Sequence, residues 1–162
     1  MLFGLPAHPL LVHFAVASVP VAAIVAVLTA LWRAARRRLG IITPILVGVA
    51  LVCTAIAQET GEWLQEQLPA SPLIERHADL GGTLAPIMAG LFIVTAADWA
   101  WRRYWAPGGR RAGARAGHGW RAAVPPVLAG LTVVAAVAAT VMVALIGDAG
   151  AVAVWTGRVP TP

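Results

Sequence analysis

The sequence predicts an all-α integral membrane protein, folded as an antiparallel four-helix bundle with both termini on the extracytoplasmic side. Composition is the first reason, since 59% of the 162 residues are hydrophobic and only 12% are charged, about half of the usual charged share. So few charged side chains cannot cover a water-soluble globule, and the single cysteine, Cys53, excludes a disulfide scaffold. The second reason is a set of four long apolar stretches, and the third is the placement of the arginines outside them.

A membrane-spanning helix needs about 20 mostly apolar residues. The predicted spans of a single domain, 1–162, cover residues 9–32, 42–64, 73–101 and 122–147. Thr43 before Pro44 has the pattern of an N-cap followed by proline at the first helical position, which predicts the start of the second helix. Ser71 before Pro72 predicts the start of the third helix in the same way. The fourth helix is expected to end at Asp148.

The twelve basic residues, all of them arginine, orient the predicted spans. Ten lie in the two connections on one side of the membrane: Arg33, Arg36, Arg37, Arg38, Arg102, Arg103, Arg110, Arg111, Arg115 and Arg121. Only Arg76 and Arg158 lie on the other side. Because arginine accumulates in cytoplasmic loops, this split predicts a multi-pass protein of the bacterial plasma (inner) membrane, with the N-terminus and the C-terminus outside. The net charge of +5 follows this topology, so we expect no nucleic-acid partner.

Most other ionisable residues gather at the predicted outer ends of the spans; the candidates are His8, His13, Glu59, Glu62, His77 and Asp148. At a rise of about 1.5 Å per residue, His13 lies about 6 Å below Pro9 and His77 about 7–8 Å past the start of its helix. Imidazoles at such similar depths on facing helices can hold a metal ion or a haem. We therefore expect His13 and His77 as the ligand pair, with His8 as the substitute. Asp148 is a further candidate metal ligand, and Glu59 and Glu62 are expected to support the ligands or carry protons.

Other interpretations of these residues stay open. A single histidine near a membrane interface is more often a hydrogen-bonded boundary residue than a ligand, and Gly61, Gly81 and Gly82 either leave room for a planar macrocycle or allow tight helix contact. The chain has no nucleophile elbow, phosphate loop or paired thiols, so an enzyme acting on its own is not expected. The alternative is a non-catalytic membrane subunit or scaffold whose polar cluster docks another protein. A proton or ion conductor is less favoured, because no charged residue lies between the outer cluster and Asp98.

Four blocks of the chain carry a recognisable pattern: His8-Pro9-Leu10-Leu11-Val12-His13-Phe14, Thr60-Gly61-Glu62, Glu75-Arg76-His77 and Gly147-Asp148-Ala149-Gly150-Ala151, the last followed by Trp155 and Gly157. In these blocks the chain resembles the domain of unknown function 2231 family over nearly its whole length, and the first block is the most specific. Members of that family are predicted bacterial inner-membrane proteins of four helices, with no established function, and some are joined to cytochrome-c-like or other redox modules. Ala15 stands where the family usually has proline, and Asp148 where it tends to have histidine, which favours a harder cation or no ligand at that position.

The resemblance implies a haem or electron-transfer connection. Together with the polar cluster, it leads us to expect an integral membrane protein that binds a metal-centred cofactor, b-type haem, near its outer face and takes part in electron transfer. An unidentified metal ion, or no cofactor, is the alternative. Besides the lipid bilayer, the expected partner is an extracytoplasmic redox protein, and a homo-oligomer stays open.

Overall fold

The computed structural model describes residues 7–105 and 120–158, and these residues are almost entirely helical. The helices are α1 (Ala7–Leu31), α2 (Arg33–Leu39), α3 (Ile42–Glu66), α4 (Pro72–Tyr104) and α5 (Val124–Trp155), with one 3₁₀ turn at Trp120–Ala122. No strand occurs within the described ranges. The predicted cytoplasmic segment that carries Arg110, Arg111 and Arg115 lies outside the described residues.

Four of these helices, α1, α3, α4 and α5, are long and apolar enough to cross a membrane, which confirms the prediction of four spans and makes the chain a multi-pass membrane protein. Their outer faces carry large exposed apolar side chains such as Ile24, Val52, Ile93 and Val134. An exposed apolar surface on helices of this length is suited to contact with lipid. Helix α4 has 33 residues and is therefore about 50 Å long, well beyond the roughly 30 Å of hydrocarbon in a bilayer.

The four long helices pack into a bundle in which each helix packs mainly against two others. Helix α1 packs on α3 and α5, and α4 packs on the same two helices. The largest fully buried side chains are Val19, Val47, Met88 and Leu91. Much of the remaining core consists of alanine, with Ala22, Ala26, Ala50, Ala136 and Ala139 all buried. Such small side chains let helix backbones approach closely where no hydrophobic driving force exists between helices.

The structure has one of the predicted helix boundaries and differs from the prediction at two others. Ser71 precedes the first helical residue, Pro72, as predicted, although its side chain makes no capping hydrogen bond. Helix α3 already begins at Ile42, so Thr43 lies inside the helix and not at its N-cap. Helix α5 continues through Asp148 to Trp155, because none of the intervening residues interrupts a helix. Gly157, with a φ of +76°, follows that end.

Two helix pairs, α1 with α3 and α4 with α5, repeat the same pattern of residues. The first pair is taken here with α2, the short helix that connects α1 to α3. The matching residues of the two pairs are Pro20 and Pro86, Thr29 and Thr95, Arg36 and Arg102, Thr43 and Thr132, Ala50 and Ala139, and Gly61 and Gly150. In both pairs nine positions lead from the proline to the first threonine, and seven lead from that threonine to the arginine. The buried positions Thr43, Val47, Ala50 and Thr54 of α3 likewise recur in α5 as Thr132, Ala136, Ala139 and Val143. The fold therefore contains two copies of one helix-pair pattern.

Candidate functional site

The imidazole of His8, at the start of α1, lies against the last turns of α3. Its Nδ1 atom is 2.9 Å from the backbone carbonyl oxygen of Ala57. The ring also lies directly on the backbone of Gly61, where an added Cβ would stand 2.8 Å from the Cε1 atom of His8. Glycine at position 61 is therefore what lets the ring approach α3 this closely.

The imidazole of His77 makes the equivalent contacts in the second helix pair. Its Nδ1 atom is 3.0 Å from the carbonyl oxygen of Ile146 in α5. A Cβ at Gly150 would stand 3.0 Å from the Cε1 atom of His77. In both pairs the carbonyl and the glycine are four residues apart, so one helical turn supplies a hydrogen-bond acceptor and a flat surface for the ring.

The two imidazoles face each other at the end of the bundle that they share, called the histidine end below. Their ring centres are 6.4 Å apart and their planes are inclined by 78°. Because a carbonyl oxygen can only accept a hydrogen bond, each Nδ1 atom carries a proton and donates it. In a neutral imidazole the Nε2 atom is then unprotonated, and its lone pair is available to a metal or to a hydrogen-bond donor.

A cavity of about 490 Å³ adjoins the two histidines. It lies between the ends of the helices, and most of its lining is apolar, including Leu64, Leu68, Pro69, Ile74 and Val154. The polar lining residues include Glu62, whose carboxylate accepts a hydrogen bond of 3.0 Å from the Gln58 side chain. This cavity, called the histidine-end cavity below, combines two imidazoles with a mainly apolar wall, as is common in cofactor sites.

His13 does not take part in this arrangement, which corrects the expected pairing of His13 with His77. Its side chain is exposed, and its Nδ1 atom bonds the carbonyl oxygen of Pro9 in the preceding turn of the same helix. The rise of about 1.5 Å per residue gives only how far along α1 His13 lies, and not the side of the helix from which it projects. His8, five residues earlier and on another side of the helix, is the residue that faces His77.

The carboxylates are also distributed differently from the expectation. Glu59 is exposed and is absent from the residues that line the histidine-end cavity. Asp148 is exposed on α5, where it lines a separate groove together with Glu75, Arg76 and Asp79 of α4. Within the described residues, histidine, cysteine, aspartate and glutamate form no group of three or more that could hold a metal ion. The expected metal-ligand set of His8, His13, His77 and Asp148 is therefore not assembled.

No family model matches the chain, and no curated protein and no solved structure matches it. The resemblance to the domain of unknown function 2231 family stays a prediction. The function is therefore inferred from the residues of this chain alone.

Several features of this site have little or no signal in the sequence. The two hydrogen-bond acceptors are backbone carbonyls, which every residue has, so the residue types Ala57 and Ile146 give no indication of the role. Gly61 and Gly150 do carry a signal, because both lie four residues after the acceptor and both belong to the repeated pattern of the helix pairs. The repeat alone identifies the two glycines as equivalent positions.

Proposed function

We propose that this membrane protein binds a metal-centred cofactor, b-type haem, through His8 and His77 at the histidine end, and that it takes part in electron transfer. The observation that carries the proposal is the pair of imidazoles, each oriented by its own Nδ1–H···O=C hydrogen bond. Histidines that bind metals almost always donate the second ring N–H to a carbonyl or carboxylate in this way, which fixes the ring and its tautomer.

The number of candidate ligands favours a haem over a bare metal ion. A structural zinc ion is bound by four protein ligands and a catalytic one by three. Haem iron already has four ligands in its macrocycle, so one or two axial side chains are sufficient. Two histidines without a third neighbouring ligand among the described residues therefore suit a haem better than an ion.

The separation of the rings supports the same proposal. A metal centre held by both imidazoles would need the two rings close together, because metal–nitrogen bonds are about 2 Å long. The ring centres of His8 and His77 are 6.4 Å apart. The residues present therefore fit the implied cofactor, and the histidine-end cavity of about 490 Å³ adjoins them with mainly apolar walls.

The chain's own residues would hold and shield the cofactor. His8 and His77 would hold the cofactor through their ring nitrogens, and the Ala57 and Ile146 carbonyls would keep both rings oriented. The apolar wall of the cavity would exclude water and so influence the reduction potential. Such a group, when bound, supplies one-electron transfer. Glu62, at the same cavity, would be the carboxylate available for proton exchange.

We also propose an orientation of the bundle in the membrane. His8 at the start of α1 bonds α3 near its end, and His77 near the start of α4 bonds α5 near its end, which supports an antiparallel course of the helices in each pair. The arginine-rich connections then lie together on the cytoplasmic side of the plasma membrane, and the histidine end and both termini lie outside. An extracytoplasmic redox protein would exchange electrons at this end.

The test is an absorption spectrum with metal analysis of the protein purified in mild detergent from haem-replete cells. We expect a haem spectrum that is lost in His8→Ala and in His77→Ala. His13→Ala is the matched control, because His13 also bonds a backbone carbonyl but lies exposed outside the cavity. A colourless, metal-free wild-type preparation would contradict the proposal. Equal loss of the spectrum in His13→Ala would contradict the assignment of His8.

A non-catalytic subunit or scaffold is the second candidate function. It is favoured by the same two hydrogen bonds, since each already joins neighbouring helices without any cofactor. In that case the histidine-end cavity would receive an apolar segment of another membrane protein. The prediction is that His77→Ala, with no spectrum to lose, weakens co-purification of a partner from the native membrane. If all proteins that co-purify with the wild type are retained by His77→Ala and by His8→Ala, this candidate is wrong.

A further inference from the structure

A second cavity, of about 200 Å³, lies at the opposite end of the bundle from the two histidines. We call this end the arginine end, because Arg36, Arg102 and Arg103 line the cavity. Four threonines also line it, and each of the four membrane-spanning helices contributes one: Thr29, Thr43, Thr95 and Thr132. The helix pairs thus contribute matching groups, since each provides two threonines and at least one arginine. Polar groups of this density are costly inside a membrane protein unless they have partners or bind something.

Three of the four threonine hydroxyls have partners within their own helices. The Oγ1 atoms of Thr29, Thr95 and Thr132 donate to backbone carbonyls three or four residues earlier. Thr43 is also buried, with only 4% of its surface exposed. It differs from the other three because its Oγ1 atom has no hydrogen-bond partner among the described residues. It is the single buried side-chain polar atom of the described residues in this condition. A buried hydroxyl without a partner costs about 1–3 kcal/mol, so a ligand that bonds it would recover that cost.

The cavity has an excess of positive charge. Arg102 pairs with Asp98, with its Nε atom 2.8 Å and 2.9 Å from the two carboxylate oxygens. Among the described residues that line the cavity, Asp98 is the one carboxylate, against the three arginines Arg36, Arg102 and Arg103. Burial lowers the pKa of Arg36, and the neighbouring Arg102 lowers it further, while Asp98 partly offsets both. An anion in the cavity would remove this unfavourable interaction between like charges.

The hydrogen bonds of Arg36 make the cavity more favourable for an anion. Its Nε and Nη2 atoms donate to the carbonyl oxygens of Thr29 and Ala30, at the C-terminal end of α1. These bonds neutralise the negative end of the α1 dipole, which would otherwise repel an anion. A guanidinium has five N–H donors, so those not involved in these bonds stay available to a ligand. In the first turn of α3 only the backbone N–H groups of Ile42 and Thr43 lack an acceptor within the helix, because Pro44 has no N–H and the Ile45 N–H bonds the Ile41 carbonyl.

We propose that the arginine-end cavity binds a phosphate group, carried either by an anionic phospholipid headgroup or by free inorganic phosphate. Guanidinium groups match the oxygens of phosphate in geometry and charge. Basic pockets between membrane-spanning helices on the cytoplasmic side are typical sites for anionic lipid headgroups. The volume of about 200 Å³ is far above the roughly 10–15 Å³ that one water needs by the same measure. This site is independent of the proposed cofactor, which binds at the other end of the bundle.

The experiment compares the wild type with Thr43→Val and Thr54→Val in neutral detergent. Valine has nearly the shape of threonine without the hydroxyl. Thr54→Val is the matched control, because Thr54 is equally buried in α3 but bonds the Ala50 carbonyl and is not part of the cavity lining. The midpoint of thermal unfolding is measured in phosphate against chloride at equal ionic strength. It is measured again in micelles that contain phosphatidylglycerol or zwitterionic phosphatidylcholine.

We expect the wild-type midpoint to rise with phosphatidylglycerol or with phosphate, and not with chloride or phosphatidylcholine. Thr43→Val should need roughly tenfold more ligand for the same rise, since a hydrogen bond to a charged group is lost. Thr54→Val should respond like the wild type. A response to phosphatidylglycerol alone assigns the site to the lipid headgroup, and a response to phosphate alone assigns it to the free ion. No response to either ligand, or an equal loss in both variants, overturns the proposal.

A second variant keeps the test valid if Thr43→Val does not fold. Arg103 is exposed and lines the same cavity, so Arg103→Gln removes one positive charge without disturbing the core. Arg103→Gln should weaken the stabilisation by phosphate or phosphatidylglycerol, with little change of the midpoint in chloride. An unchanged ligand response in this variant contradicts the role of the arginines.

Discussion

The contact between His8 and Gly61 provides the sharpest test of the histidine end, through the substitution Gly61→Ala. The added methyl carbon would stand 2.8 Å from the Cε1 atom of His8. Two carbons in favourable contact are about 3.5 Å or more apart, so the ring must retreat by roughly 0.7 Å. The hydrogen bond from His8 to the Ala57 carbonyl is now 2.9 Å long. A retreat of this size takes it to about 3.6 Å, which is beyond a hydrogen bond.

The energies decide the sign of the effect. A helical Gly→Ala change without contacts stabilises by up to about 1 kcal/mol. Against this, the lost hydrogen bond costs about 0.5–1.5 kcal/mol and crowding about 1–3 kcal/mol. We therefore expect Gly61→Ala to be destabilised by about 0.5–3.5 kcal/mol, with a central value of about 2 kcal/mol. Gly147→Ala is the control, because a Cβ there meets no atom within 4 Å, and it should be neutral or slightly stabilised.

Thermal unfolding in detergent, followed by circular dichroism, measures the difference. For a chain of this size, about 2 kcal/mol between the two variants corresponds to roughly 4–8 °C in Tm. The double variant His8→Ala/Gly61→Ala removes the ring that the methyl group meets, so in that background the alanine should no longer destabilise. If Gly61→Ala unfolds at the same temperature as Gly147→Ala, the close contact between the His8 ring and the Gly61 backbone is wrong.

Three further predictions concern the rest of the two sites. Gly150→Ala should lower Tm less than Gly61→Ala, because its Cβ would stand 3.0 Å and not 2.8 Å from the facing imidazole; a larger loss would contradict the order. Arg36→Gln should cost about 1–3 kcal/mol in unfolding free energy, since two terminal carbonyls of α1 lose their donor. Arg37→Gln, an exposed neighbour, should stay within about 0.5 kcal/mol, and equal costs would refute this role of Arg36. Asp148→Asn should leave the absorption spectrum of the purified protein unchanged, because Asp148 lies in a different groove from the histidines; a changed spectrum would return Asp148 to the ligand set.

The four spans were predictable because hydropathy and length are properties of the sequence alone. Helix α5 was predicted too short, since Asp148 was interpreted as an end although the apolar and small residues around it continue to favour a helix. The choice between His8 and His13 was harder. The rise per residue gives the depth of a side chain but not the direction in which it points, and only the packing of α1 on α3 decides which histidine faces the bundle.

The arginine end was missed because its residues have ordinary interpretations one at a time. A threonine within an apolar helix usually bonds the carbonyl of the preceding turn, as Thr29, Thr95 and Thr132 do. Arg36 was interpreted only as part of the topology signal, although it folds back onto the end of α1. The common spacing of proline, threonine and arginine in the two helix pairs was the available signal. It required a comparison of the two halves of the chain, because the repeat lies between pairs of helices and not within one.

The repeated helix pair also limits what each half of the bundle can do alone. Either pair contributes one imidazole and two of the four hydroxyls, so neither pair completes a cavity without the other. The two halves are also unequal in charge. Asp98 of the second pair corresponds to Trp32 of the first, so the described lining of the arginine-end cavity carries a carboxylate on one side only.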